Sequence, residues 1–303
     1  MLEGRAVSAL DGGAVSGVSV RVGSSPAVTT DATGLFQVEM DAVGTYAATL
    51  RGGAFIERET SVTGPGSGVP QLSMIPTSFD MEPFDQMFRT SHDRLQRWTS
   101  RPHLVVLASV MNYRGAASND EYSATGEQMT ESEVTQMVEH MTEGLALLTG
   151  GTYTSFASVE IERPASGERV RATREGRVVV GRYNGIVTFA RTIGYGGWAE
   201  QEDGTITGGA MFLDRDFDKD DERRRLLRIH ELGHALGYQH VTAVTSIMNP
   251  TIGPEPTDSD RAGARIAFQR PPGNHAPDVD PSSAPRTFVT TGGSPRWVTT
   301  YCR

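Results

Sequence analysis

The sequence predicts an α+β protein in which an all-β sandwich precedes a larger domain of mixed strands and helices. Three features of the chain predict this class. Short strand patterns fill residues 1–66, a stretch rich in Gly, Pro and Ser follows at 67–80, and strands then alternate with helices over 81–275. A chain of 303 residues is long enough for two separately cored domains. We therefore expect a linker at 67–80 and a C-terminal tail at 276–303, with a hairpin around GGSP (292–295).

The N-terminal region has the alternating apolar pattern of short, half-buried strands. Val18, Val20 and Val22 alternate with polar residues, and the turn signals DGG, GSSP, DATG and DAVG separate the runs. The runs are GRAVSAL (4–10), GVSVRVG (17–23), GLFQVEM (34–40), TYAATLRG (45–52) and FIERETSVT (55–63). The segments GVSVRV, TTDATGLFQV and VGTYAATLRG resemble the carboxypeptidase-regulatory-like, or prealbumin-like, β-sandwich modules. This resemblance implies an accessory, non-catalytic domain.

The second domain shows helix and strand patterns that alternate along the chain. Residues 82–98 have the pattern of a short helix, and PHLVVLASVMNY (102–113) has that of a buried strand. The amphipathic stretch 130–150 predicts a helix that begins at Thr130, where Glu133 completes a capping box. Further strands are expected at TSFASVEIER (154–163), GRVVVGRYNGIVTFA (176–190) and TITGGAMFLDRDF (205–217).

Composition and charge narrow the possible classes of function. The 28 basic and 37 acidic residues give a formal net charge of −9, which argues against nucleic acid or an anionic membrane as partner. The RRR run at 223–225 is then interpreted as the solvated face of a helix. A single cysteine, Cys302, excludes an intrachain disulfide and a cysteine zinc cluster, and is interpreted as an incidental tail thiol. We expect no transmembrane segment, because no run approaches the ~18 apolar residues that cross a bilayer.

The segment HELGHALGYQH (230–240) contains three of the seven histidines of the chain. The residues before it have the apolar spacing of a helix, so His230 and His234 lie one turn apart and project to the same side. Gly237 can adopt left-handed dihedral angles, which lets the chain leave the helix and return His240 as a third ligand. Three nitrogen ligands and one open position describe a catalytic zinc site.

Glu231 follows the first histidine and lies about 100° round the helix from it. From there it can reach a zinc-bound water without being a ligand, and it can take the proton of that water as the water attacks a carbonyl. The sequence thus predicts hydrolysis of peptide bonds in a protein or peptide substrate. A purely structural zinc site is the weaker alternative, since such sites normally take four protein ligands.

HELGHALGYQH matches the HExxHxxGxxH signature of the metzincin metallopeptidases, in which a methionine-containing turn follows downstream. SIMNP (246–250) resembles that turn, and most of all the turn of the matrixins. The resemblance implies a catalytic domain with a mixed twisted sheet, two long helices, an active-site helix that ends at a glycine turn, and a C-terminal helix. It also implies that Met248 forms a hydrophobic floor under the zinc and is not a ligand.

The resemblance further implies an edge strand that pairs antiparallel with an extended substrate. TGGAMFLDRDF, directly before the active-site helix, is the candidate for this strand. The residues expected to offer free backbone groups are Gly208, Gly209, Ala210 and Met211. An ordinary strand inside the sheet is the alternative interpretation.

Some residues depart from the family pattern. Val241 follows the third histidine, where the common subfamilies have other residues, and Asn249 leaves no tyrosine of the astacin type near the metal. The N-terminal domain has no cysteine that could cap the zinc, and Cys302 lies far downstream. We therefore expect no cysteine switch and assign no subfamily.

The acidic run DRDFDKDDE (214–222) supplies clustered oxygen atoms, which hard cations such as calcium prefer. The candidate calcium ligands are Asp214, Asp216, Asp218 and Asp220. The run lacks the glycine and the distal glutamate of a calcium-loop signature, so an acidic helix start favoured by the helix dipole is the alternative. The remaining histidines lack ligand spacing and are expected to be structural: His92, His103, His140 and His275.

These patterns together predict a zinc-dependent endopeptidase of metzincin type with an accessory β-sandwich. The alternative is a non-catalytic binding or adhesion protein on a metallopeptidase scaffold. We expect an extracellular, periplasmic or cell-surface location, because an unrestrained endopeptidase would endanger the proteins of its own cell. The start MLEGRAVSALDGG lacks the apolar segment of a signal peptide, so we expect that any export signal has been removed or was never there. The sequence leaves the oligomeric state open.

Overall fold

The computed structural model of the chain describes residues 1–66, 68–89, 93–115, 120–281 and 296–301. Three of the expectations fall outside these residues: the hairpin turn at 292–295, the tail thiol of Cys302, and the structural role of His92. In the described part of the chain, no helix has both the length and the apolar character needed to cross a membrane.

The N-terminal part of the chain is rich in β-structure. Its described strands are β1 (Leu2–Ser8), β2 (Ser19–Val22), β3 (Val28–Thr29), β4 (Leu35–Val38), β5 (Gly44–Gly52), β6 (Phe55–Gly64) and β7 (Gln71–Met74). β1 lies between β4 and β7 in one sheet, and the other sheet has the order β3-β2-β5-β6. Leu2, Phe36 and Leu72 of the first sheet share one apolar core with Val20 and Leu50 of the second. Each of the five predicted runs coincides with a strand.

β7 corrects the predicted linker at 67–80. Gln71–Met74 pairs in parallel with β1, and its residues Leu72 and Met74 are buried in the N-terminal core. The composition conceals this strand because it has only four residues and lies among prolines and glycines, which are typical of loops. The segment between the two parts of the chain is therefore not a free spacer over its whole length.

The rest of the chain combines helices with a mixed sheet. Its described elements are α1 (Met81–Phe88), β8 (His103–Asn112), β9 (Glu121–Gln128), α2 (Glu131–Leu148), β10 (Val159–Glu162), β11 (Arg169–Arg171), β12 (Arg177–Asn184), α3 (Ile186–Ala190), β13 (Gly194–Glu200), β14 (Ile206–Asp214), α4 (Arg215–Asp220), α5 (Arg224–Ala235), α6 (Asp258–Phe268) and β15 (Arg296–Tyr301). The sheet has the order β11-β9-β8-β12-β14-β13-β15, with β10 also paired to β8. β8, β12 and β14 are parallel, whereas β13 runs antiparallel to both β14 and β15. The chain as a whole is thus mixed α+β, as the sequence predicts.

α2 and α5 pack closely on one face of this sheet. The capping box predicted for α2 is present, since the Thr130 side chain accepts from the Glu133 N–H at 3.3 Å and the Glu133 carboxylate accepts from the Thr130 N–H at 2.8 Å. A Cβ placed on Gly144 of α2 would lie 3.0 Å from a methyl carbon of Leu232 in α5. The glycine therefore allows α2 to approach the helix that carries the histidines.

Some elements differ from the sequence-based expectations. The helix expected over 82–98 ends at Phe88, and residues 186–190, predicted as strand, form α3. The chain turns into α3 at Gly185, where φ is 102° and a Cβ would lie 2.5 Å from the Tyr113 carbonyl oxygen. β13 is absent from the predicted strands because the glycines in GYGGWAE weaken the strand pattern.

Apolar contacts join the N-terminal part to the rest of the chain. Ala9 and Ile75 are fully buried in the same core as Phe84 of α1 and Met137 of α2. Leu10 and Ile56 pack against this core from the N-terminal side. The interface between the two parts therefore excludes water from apolar side chains on both sides.

A buried charged network lies in the same interface. The Arg58 guanidinium of β6 donates to the Ser73 carbonyl oxygen at 2.5 Å and pairs with Asp280 at 3.0 Å. Arg270, which is fully buried, pairs with Asp278 and donates to the Ser73 hydroxyl, each at 2.7 Å. Buried guanidinium groups need such partners, so this network fixes how the N-terminal part docks on the second part.

Candidate metal centre and active site

α5 carries the histidine segment and is buried from Leu226 to Ala235. The helix ends in a Schellman motif: the Gly237 N–H donates to the His234 carbonyl at 3.0 Å, and the Tyr238 N–H donates to the Gly233 carbonyl at 2.9 Å. Gly237 has φ 100°, a conformation that side chains with a Cβ rarely adopt. The glycine turn expected from the sequence is therefore present, and it directs the chain back toward the helix.

This return brings three imidazoles together. The Nε2 atom of His234 lies 3.1 Å from Nε2 of His230 and 3.2 Å from Nε2 of His240. These three histidines could share one metal ion, because their ligand atoms all lie within 4.8 Å of one another. Within the described part of the chain, they are the one set of three or more potential metal ligands that lie this close together. Three converging nitrogens are the protein donor set of a catalytic zinc site, which keeps a further position open.

The backbone holds the second ring nitrogen of two histidines. Nδ1 of His230 donates to the Ile247 carbonyl oxygen at 2.6 Å, and Nδ1 of His234 donates to the Tyr238 carbonyl oxygen at 2.7 Å. A carbonyl oxygen can only accept, so the ring proton lies on Nδ1 and Nε2 carries the lone pair with which an imidazole binds a metal. The local fold thus sets both the tautomer and the orientation of these rings.

Burial favours the neutral form of the three imidazoles. Desolvation lowers the pKa of His230 to about 4. It also lowers the pKa of His234 well below its ordinary value, with a further contribution from the two neighbouring imidazoles, and it lowers the pKa of His240. A neutral imidazole offers the nitrogen lone pair that a metal requires, so the three rings suit cation binding near neutral pH.

Glu231 is fully buried and faces the glycine-rich strand β13. A Cβ on Gly194 would lie 2.8 Å from Oε1 of Glu231. A Cβ on Gly196 would lie 2.6 Å from the Glu231 carbonyl oxygen and 2.7 Å from Cβ of His234. The two glycines therefore let β13 approach α5 closely enough to form one wall of the site.

Met248 is fully buried against the histidine helix. A Cβ on Gly233 would lie 2.4 Å from Sδ of Met248, so the thioether packs against the helical turn between His230 and His234. The Met248 carbonyl oxygen accepts from the Val241 N–H at 2.9 Å, which ties the turn to the segment after the third histidine. The thioether thus lies against the helix that carries His230 and His234, and its role as a floor under the zinc, which the sequence resemblance implies, stays a prediction.

Asp260 of α6 holds this turn in place, a role that the sequence motif does not reveal. Its carboxylate accepts from the Ile247 N–H at 3.1 Å and from the Ser246 hydroxyl. Asp260 is also the third residue of α6 and forms a capping box with Thr257. The TxxD spacing could have indicated the helix start, but the contact with the turn depends on the tertiary fold.

β14 is not the edge strand that the sequence predicts. The four residues expected to offer free backbone groups lie in β14, between β12 and β13: Gly208, Gly209, Ala210 and Met211. Their strand is therefore paired on both sides. The expectation is wrong because β13 follows β14 in the sheet, on the side toward the edge of the described sheet. The glycines of β13 conceal its strand pattern in the sequence.

The acidic run from Asp214 to Asp220 does not form a shared cation site. Asp214 caps α4, where its carboxylate accepts from the Asp216 N–H at 3.1 Å and the Phe217 N–H at 3.0 Å. Asp216 forms an ion pair with the preceding residue, Arg215, and Asp220 is exposed. Among the residues that the structure describes, these carboxylates do not group closely enough to hold one ion. The alternative, an acidic helix start, describes Asp214 well.

Asp218 is fully buried and forms ion pairs with two arginines. It lies 2.7 Å from Arg182 of β12 and 2.7 Å from Arg228 of α5. Arg228 also lies 3.1 Å from Nδ1 of His140. Burial and the positive charge of Arg228 lower the pKa of His140 to about 4, so this histidine is neutral and accepts from the guanidinium. The network anchors the histidine helix to the sheet, and no local sequence pattern predicts it.

Comparison with known proteins agrees with this geometry. Residues 192–264 match the family model described as Matrixin. The matched region runs from just before β13 into α6 and includes the three histidines, Glu231 and Met248. No curated protein matches the chain. The family match and the grouped histidines support a matrixin-like domain in this part of the chain.

Proposed function

We propose that the chain is a zinc-dependent endopeptidase of the metzincin type. The observation that carries this proposal is the convergence of three buried imidazoles from residues 230–240, with Glu231 on the same helix. The Matrixin match over 192–264 supports the same class of reaction.

His230, His234 and His240 would hold the metal through their Nε2 atoms. The donor set fits zinc, because imidazole nitrogen suits this ion and three protein ligands are the number typical of catalytic sites. Zinc bound there supplies a Lewis acid that polarises a peptide carbonyl and lowers the pKa of water. The carbonyl oxygens of Ile247 and Tyr238 keep two of the rings aligned for this task.

Glu231 would act as the general base and then as the general acid. Its carboxylate takes a proton from the attacking water and returns one to the leaving amine, so the amide bond breaks as the nitrogen is protonated. The side chain is fully buried and packs beside Gly194, which limits the positions that its carboxylate can take. A fixed base lowers the entropic cost of orienting water for the attack.

A non-catalytic binding or adhesion protein on the same scaffold is the second candidate. Such a protein would need no base beside the metal, whereas this chain retains Glu231 next to His230. A structural zinc site would take four protein ligands, and the described residues bring three together. Both features favour the enzyme.

We further propose that residues 1–66, together with β7, form an accessory, prealbumin-like β-sandwich and that the protein acts outside the cytosol. Two sheets around one core support the first proposal. The second is supported by the risk that an endopeptidase poses to cytosolic proteins. Fractionation of cells that express the gene with its native upstream sequence tests the location, and recovery of all the protein in the cytosol would refute it.

Zinc reconstitution followed by digestion of a mixed peptide library tests the peptidase proposal. We expect about one zinc per chain and cleavage within the peptides, with both lost on chelation and regained on addition of zinc. His240→Ala should lose zinc and activity, whereas His103→Ala, at an exposed histidine outside the site, should keep both. Failure of the intact protein to bind zinc after reconstitution would refute the proposal.

A further inference from the structure

The outermost described strand next to the site comes from the distal end of the chain. β15 pairs antiparallel with the whole of β13, from Arg296 opposite Glu200 to Tyr301 opposite Tyr195. Within the described sheet, β15 has β13 as its neighbour on one side and no strand on the other. It thus covers backbone groups of β13 that would otherwise form an open sheet edge.

β13 is also the strand that borders the histidine helix. Gly196 packs against His234, so that a Cβ on the glycine would lie 2.7 Å from Cβ of the histidine. Thr300 of β15 lies opposite Gly196. The Thr300 hydroxyl lies 3.5 Å from Oε1 of Gln239, the residue before the third histidine. β15 therefore runs alongside the candidate metal centre.

The contact between the two strands is close, but its anchors are only partly buried. A Cβ on Gly197 would lie 2.4 Å from the Val298 carbonyl oxygen and 2.9 Å from the Trp297 ring. Trp297 packs on the core at one face of the sheet, and Val298 packs on the core that contains α5. Neither side chain is fully buried. A six-residue edge strand with partly buried anchors has the features of segments that open locally while the rest of a fold stays intact.

We propose that β15 occupies the place of an extended peptide substrate along β13 and so restrains the peptidase. Strand edges bind extended peptides by adding them as a further strand, through backbone hydrogen bonds. Here a segment of the chain itself fills the edge nearest the histidines, in the antiparallel orientation. The consequence for hydrolysis rests on the proposed function, whereas occupation of the edge is a question of binding that can be measured without hydrolysis.

Binding is measured in the Glu231→Gln background, which does not consume the probe. The probe is a fluorescein-labelled peptide with the sequence RWVTTY of residues 296–301, followed by fluorescence anisotropy. We expect a chain that ends at residue 295 to bind it. The full-length chain should bind it about ten-fold more weakly if β15 leaves the edge for about a tenth of the time. Equal affinity of the two chains would overturn the proposal.

A second variant keeps the chain length and decides the outcome if the shorter chain fails to fold. The double substitution Trp297→Ser and Val298→Ser removes both apolar anchors of β15 and should also tighten probe binding. Unchanged affinity in this folded variant would overturn the proposal. Cys302→Ser is the matched control and should bind as weakly as the full-length chain. Tighter binding by Cys302→Ser alone would assign the restraint to the thiol and overturn the role of β15.

Hydrolysis of a quenched fluorescent peptide, with Glu231 restored, separates this inference from the proposed function. We expect a higher kcat/KM for the chain ending at residue 295, by about the factor seen in binding, and inhibition by the added RWVTTY peptide. If neither chain cleaves peptides but the shorter one binds the probe more tightly, the peptidase proposal fails and the occupation of β13 stands. If both chains cleave and bind equally, the peptidase proposal stands and the occupation of β13 is refuted.

Discussion

The Nδ1 atom of His230 lies 2.6 Å from the carbonyl oxygen of Ile247. This hydrogen bond joins α5 to the turn that contains Met248, and it fixes the plane of the imidazole. The Ile247 peptide is held in turn by Asp260, whose carboxylate accepts its N–H at 3.1 Å. A buried carboxylate on α6 thereby positions a histidine on α5 through the backbone of a single residue, Ile247. Contacts of this kind tune metal affinity, because they set the direction of the ligand lone pair.

Asp260→Ala should weaken zinc binding by about 10–100-fold, since the turn loses the acceptor that holds Ile247. Competition with a chelator of known zinc affinity measures the change. Asp258→Ala is the matched control, because Asp258 lies in the same first turn of α6 but is exposed. Zinc affinity at the level of the unsubstituted protein in a folded Asp260→Ala variant would contradict the positioning role.

Asp218→Asn should lower the free energy of unfolding by about 3–5 kcal/mol, because it leaves the buried Arg228 without its charge partner and removes one of the two carboxylates that pair with Arg182. Asp220→Asn, at an exposed position of the same acidic run, should change it by less than about 0.5 kcal/mol. Urea denaturation measures both values. Equal, small effects of the two substitutions would show that the ion pairs of Asp218 do not anchor α5.

The Glu133 carboxyl should make stability depend on pH in the acid range. Partial burial raises its pKa, but hydrogen bonds from Arg182 and from Thr130 outweigh this effect and lower the pKa from 4.5 to about 2. A carboxyl with a depressed folded pKa stabilises the fold above its unfolded pKa and loses this effect as pH falls through the folded value. The contribution is therefore full above pH 4.5 and lost toward pH 2.

The midpoint of urea unfolding, measured between about pH 2 and 6 for the wild type and Glu133→Gln, tests this dependence. The wild type should be more stable by a constant amount at the upper end of the range. The difference should shrink as the pH falls below 4.5 and close near pH 2. A difference that does not change with pH would contradict the role assigned to the charge.

Arg58→Ala should destabilise the docking of the N-terminal part by about 3–5 kcal/mol, because Asp280 and the Ser73 carbonyl lose a buried partner. Arg51→Ala, which removes an exposed ion pair with Glu57, serves as the control and should change stability little. Chemical denaturation followed by tryptophan fluorescence gives both values.

The composition of the chain predicts two units that fold separately. Unchanged stability of the second part after removal of residues 1–66 would favour that interpretation over the docked arrangement.

Local patterns along the chain predicted several elements of the fold well. Thr130 and Glu133 indicate the start of α2, because a capping box depends on residues only three positions apart. The spacing of His230, His234 and Gly237 indicates a helix and its end for the same reason. The convergence of His240 on the other two rings follows from a glycine turn of a few residues. These features depend on chemistry that lies close together in the sequence.

Features that depend on distant pairing were not predictable in the same way. β13 has too many glycines to read as a strand, and it forms because Gly196 allows close packing on His234. β7 is extended because Leu72 and Met74 fill a core built by other strands. Strand order within a sheet is likewise a property of the tertiary fold, so the sequence alone does not reveal that β14 lies inside the sheet.

The hydrolysis rate per bound zinc in Glu231→Gln is the measurement that tests the central claim most directly. We expect about one zinc per chain and a kcat/KM lower by about 10²–10⁴-fold, because the substitution removes proton transfer and leaves the three imidazoles in place. Glu222→Gln, at an exposed glutamate just before α5, should retain full activity. Hydrolysis near the wild-type rate in fully zinc-loaded Glu231→Gln would contradict the claim that this carboxylate and the histidine site form the active centre of a peptidase.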